Sequence, residues 1–114
     1  MNKLNKAETT SFHVELLSKL IDIHNYPFSK MIIEKNVTRE EYNDLFRMLN
    51  TLDKQYRRQK KEGLLDFTIL IIHFAGMLTE KLDPNQTIYA LKKEGYYPSL
   101  MNVFIQIIEF NDIR

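Results

Sequence analysis

The sequence contains no cysteine in its 114 residues. Disulfides, Cys-ligated zinc, iron–sulfur clusters and thiol nucleophiles are excluded together, and the absence suits a reducing cytosol. Glycine and proline number only three each, too few for the tight turns of many short strands. Neither charge sign dominates. Sixteen Lys and Arg face 15 Asp and Glu, a net +1 at pH 7, so no global field steers the chain to nucleic acid or acidic lipid. Long hydrophobic runs are missing too: the nearly uncharged stretch from Phe67 to Thr79 falls short of the roughly 20 residues that cross a bilayer. The opening MNKLNKAETTSF lacks the apolar core and cleavage site of a secretory signal. The expected location is the cytoplasm, with no membrane partner.

What is present is helical periodicity. A 44% hydrophobic and 27% charged composition is that of a globular protein, and the length predicts one domain over residues 1–114, with 1–10 a frayed segment. Thr9-Thr10-Ser11 supplies N-cap hydroxyls for a first helix reaching about His24. Val14, Leu17 and Ile21 form one of its apolar stripes, Leu16 and Leu20 a neighbouring one. Pro27 starts a short helix to about Glu34. Thr38 and Glu41 match a capping box, opening a helix from Arg39 to about Glu62 that Gly63 ends. Asp66 caps a central helix predicted over Phe67 to Lys81. This stretch is apolar all round, so the expectation is burial on every side. Ala75-Gly76 marks an expected close helix contact, and His73 an expected core histidine. Asp83-Pro84 begins the next helix, Gly95 ends it, and Pro98 begins the last, to about Phe110. No stretch alternates with a period of two and no repeat recurs. The fold class is all-α: a multi-helical bundle of five to six helices with short connections and no sheet.

Several of these residues carry a family resemblance. They are Tyr26-Pro27-Phe28, Phe74-Ala75-Gly76 with Leu78, Glu80, Lys81, Leu82 and Asp83, then Thr87-Ile88, Ala90-Leu91, Gly95, Leu100-Met101 and Val103-Phe104-Ile105. In this order and spacing the chain resembles the YhaI-like family of small uncharacterised proteins from Bacillus and relatives, from about Leu16 to Ile108. The resemblance implies an all-helical fold assembling into a small homo-oligomer. It implies no activity, cofactor or catalytic residue.

The residues themselves point the same way. His13, His24 and His73 lack the i, i+4 spacing that aims two imidazoles at one metal. Glu40-Glu41 suits a helix N-terminus, and Glu80 and Asp83 flank a helix junction; neither pair has a nucleophile elbow, a phosphate-binding loop or a histidine beside it. No catalytic, cofactor-binding or metal-ligating residue is assigned, and the protein is expected not to be an enzyme. Lys54, Arg57, Arg58 and Lys61, with Lys60 beside them, form a basic patch at helical spacing. It could touch phosphates, which makes a nucleic-acid-binding regulator the alternative reading. Cations also belong at a helix C-terminus, and the reading preferred here is the structural one. Tyr26, Phe28, Tyr96 and Tyr97 sit at helix breaks, where aromatic residues serve either packing or an interface. The leading expectation is a dimer or trimer acting through protein–protein contacts. Its interface is placed on the terminal helices, at Val14, Leu17, Ile21, Phe104 and Ile108.

Overall fold

The computed structural model describes residues 3–21 and 23–112. They form six α-helices: α1 (Lys3–Leu20), α2 (Pro27–Glu34), α3 (Arg39–Lys61), α4 (Thr68–Met77), α5 (Pro84–Glu94) and α6 (Pro98–Asp112). A 3₁₀ turn at Ile23–Asn25 precedes α2. No strand occurs among the described residues, so the fold is all-α.

Local chemistry explains most of the boundaries. The Glu41 N–H donates to Thr38 Oγ1 at 3.1 Å, and the Thr38 N–H donates to Glu41 Oε1 at 2.9 Å. That is the reciprocal capping box the sequence predicts at the start of α3. Gly63, just past α3, takes a left-handed φ of 90°, where a Cβ would be strained. The Asp83 carboxylate accepts the Gln86 N–H at 2.9 Å and caps α5, with Pro84 in its first turn.

The body is α2 to α6. Its extensive helix contacts are α5 with α6, α2 with α5, α3 with α4 and α4 with α6. The core holds Phe28 of α2, Leu49 and Leu52 of α3, Leu70 and Phe74 of α4, Ile88 and Leu91 of α5, and Leu100, Met101 and Phe104 of α6. At one end the rings of Phe28, Tyr42, Phe46 and Tyr96 interlock, with centroids 4.8–6.2 Å apart. Tyr96 and Tyr97 lie in the α5–α6 turn, and Tyr97 has a left-handed φ of 48°. Its hydroxyl donates to Asn50 Oδ1 of α3. Phe28, Tyr96 and Tyr97 therefore pack the body at its helix breaks, while Tyr26 remains exposed.

The structure departs from the expected pattern at two elements. α1 starts at Lys3, so described residues of the segment expected to fray are helical, and Thr9-Thr10-Ser11 lies inside the helix rather than capping it. α4 stops at Met77, four residues before the expected end at Lys81. Leu78 turns extended, and Thr79 to Leu82 form a turn closed by the Leu82 N–H on the Thr79 carbonyl. This break lets Leu78 and Leu82 both enter the core, and it frees Lys81 to reach α3.

Candidate interaction surface

α1 takes part in none of the extensive helix contacts. Phe12, Leu16, Leu17, Leu20 and Ile21 are all exposed, Leu20 at 81%. Val14 is half-buried. Of the interface residues the sequence suggests, Leu17 and Ile21 thus lie on open surface. Phe104 and Ile108 do not. Both are buried in the chain's own core, Phe104 against Phe74 at a centroid distance of 5.8 Å. An outward face on α6 cannot include them, because α6 turns that side toward α4 and α5.

The second departure is α4. Leu70 and Phe74 face inward, but Ile69 (79%), Ile72 (63%) and Met77 (69%) face out. His73 shares that outward side and is exposed, not a core residue. Gly76 lies there too. A Cβ built at Gly76 would meet nothing within 4 Å. The expected all-round burial and the expected close contact at Ala75-Gly76 are therefore absent within one copy. Helix α4 is short and sits at the side of the body, so its neighbours cover one face only.

The polar clusters of the body bind its elements together. Glu41 does more than cap α3. Its Oε1 accepts Lys81 Nζ at 2.6 Å and its Oε2 accepts the Thr79 hydroxyl at 3.1 Å. Lys81 also donates to the Asn36 carbonyl at 2.9 Å. The Lys81 ammonium and the Thr38 N–H hold the Glu41 carboxyl down to about 2 from 4.5. Glu94, which no local motif in the sequence singles out, reaches from α5 to the start of α2. Its carboxylate accepts both the Ser29 N–H and the Ser29 hydroxyl at 2.9 Å. The residue before α2, Tyr26, makes no side-chain cap, so Glu94 supplies that cap from a distant part of the chain. The Asp66 carboxylate accepts the Thr68 hydroxyl and N–H, which lower its pKa, and thus caps α4 from one residue further out than expected.

The basic patch is a solvated face. Lys54, Arg57, Arg58 and Lys61 lie along the last turns of α3, and Arg57 and Arg58 are exposed. Arg57 pairs with Asp53 at 3.0 Å and Lys60 sits over the Tyr56 ring. Two open grooves flank the body. One, of about 630 Å³, runs between α2 and α5 and is lined by Pro27, Lys30, Glu34, Tyr89 and Lys93. The other, of about 620 Å³, lies between the start of α4 and α6, lined by Leu65, Phe67, Val103 and Ile107. Among the described residues, no three His, Asp or Glu side chains come together as a metal site. No described helix is long and apolar enough to cross a membrane.

The family model described as "Protein of unknown function (DUF1878)" matches residues 1–109. That match spans nearly the whole chain and takes in α1, which the resemblance seen in the sequence covers only from Leu16. The chain belongs to this family.

Proposed function

We propose that this member of the DUF1878 family is a self-associating, non-enzymatic cytoplasmic protein that works through protein–protein contact. One observation carries the reading. α1 is a regular helix, yet its large apolar side chains stay exposed beside the body. Helices of this length gain most of their stability from packing an apolar face, not from propensity, and apolar surface of this extent marks an interaction site in a soluble protein. A near-zero net charge leaves little repulsion between copies. The Phe74-Ala75-Gly76 segment and the residues around Gly95 support the narrower placement among the YhaI-like proteins of Bacillus and relatives.

The test is the mass in solution of the intact chain and of Leu17→Glu. The expected result is an oligomer for the first and a species of 13.6 kDa for the second, with helix content of the body unchanged. The exposed basic patch gives the rival reading, a nucleic-acid-binding regulator. That reading requires binding that weakens steeply with salt and is lost on charge reversal at Arg57 and Arg58.

A further inference from the structure

The proposed self-association leaves open what α1 packs against. We propose that it docks on the outer face of α4 in a second copy, reciprocally, so that each copy contributes one helix and one receptor face. This inference rests on the self-association reading.

Area is the first argument. At roughly 100 Å² for each half-exposed large apolar side chain, the five on and just past α1 present on the order of 500 Å². Two α1 helices packed only on each other would bury roughly 1,000 Å² in total, below the roughly 1,200–2,000 Å² of stable protein interfaces. Adding the other exposed apolar face closes the gap. Ile69, Ile72 and Met77, with Leu65 just before α4 (91% exposed), present a similar area. Two reciprocal α1-on-α4 contacts then bury roughly 2,000 Å².

Chemistry is the second. α4 reads TILIIHFAGM and holds no Asp, Glu, Lys or Arg, so its outer face, polar at His73, suits a largely apolar helix better than a strongly charged partner. On α1, helical steps of about 100° spread Phe12, Leu16, Leu20, Leu17 and Ile21 over one half of the helix, with His13 among them and Lys19 at its edge beside Phe12, while Glu15 and Ser18 lie on the far half.

The third is Gly76. A glycine inside a helix costs about 1 kcal/mol relative to alanine, and a Cβ there would touch nothing in its own copy. Between Ile72 and Met77, it makes a notch where a second helix can come close to the α4 backbone.

The absence of cysteine makes the test clean. Leu17→Cys and Ile72→Cys are prepared separately in the full chain, mixed and oxidised gently. The expected product is a disulfide joining one chain of each variant, in large excess over disulfides joining two chains of the same variant. Gly76→Leu, which has room within one copy, should lose the oligomer while the body keeps its tertiary packing, read by near-ultraviolet circular dichroism. A predominant disulfide between two L17C chains, or an oligomer that survives Gly76→Leu, would overturn the α1-on-α4 pairing while leaving self-association standing. A native chain that is monomeric, with the two cysteine variants giving no mixed disulfide, overturns both.

Discussion

Glu41 shows how much of this fold hangs on single polar groups. It closes the capping box, pairs with Lys81 and accepts from Thr79, so it ties the start of α3 to the α4–α5 connection. Its carboxyl is lowered from 4.5 to about 2 in the folded chain. Between those values the unfolded chain takes up a proton that the folded chain refuses, so stability falls as pH drops from about 4.5 toward about 2. Thermal unfolding across that range should show the fall, and Glu41→Gln should flatten it. A second test is Glu94→Ala, which uncaps α2 from across the body. It should destabilise the protein by about 1 kcal/mol, read by urea unfolding. Phe28 is fully buried among three other rings, and Phe28→Ala should cost about 3–5 kcal/mol by the same measurement.

At the scale of elements, α1 and α4 carry the functional argument, and they are also where the sequence is least transparent. α2, α3, α5 and α6 are legible because their limits are written in local chemistry: Pro27, the Thr38–Glu41 box, Asp83-Pro84, Gly95 and Pro98. The end of α4 is not. Nothing in Thr79-Glu80-Lys81 forbids a helix; the turn there comes from burying Leu78 and Leu82 and from the bond between Lys81 and Glu41, a partner 40 residues away. Burial misleads in the same way. An all-round apolar pattern shows that a helix wants cover, but not whether the cover comes from its own chain. The exposed surface is legible at Leu17 and Ile21. It is not at Phe104 and Ile108, because an equally apolar α6 finds its cover inside the body. Ile69→Ser tests α4 directly. It should change folding stability by less than about 0.5 kcal/mol in dilute monomer, since Ile69 is 79% exposed, yet weaken association measured by sedimentation. The basic end of α3 should give no salt-sensitive shift with duplex DNA or RNA.

The whole molecule is elongated, 60 × 25 × 24 Å, with a radius of gyration of 16.8 Å. A compact chain of this length would have about 13 Å. The difference comes from α1, about 27 Å of helix standing apart from the body formed by α2 to α6. A shape of this kind leaves apolar surface on an arm and on a flank at once, which is what reciprocal pairing between copies requires. Sedimentation equilibrium of the native chain at micromolar concentration tests this most directly. Self-association predicts a mass of two or more times 13.6 kDa; a single species at 13.6 kDa across the concentration range would contradict it.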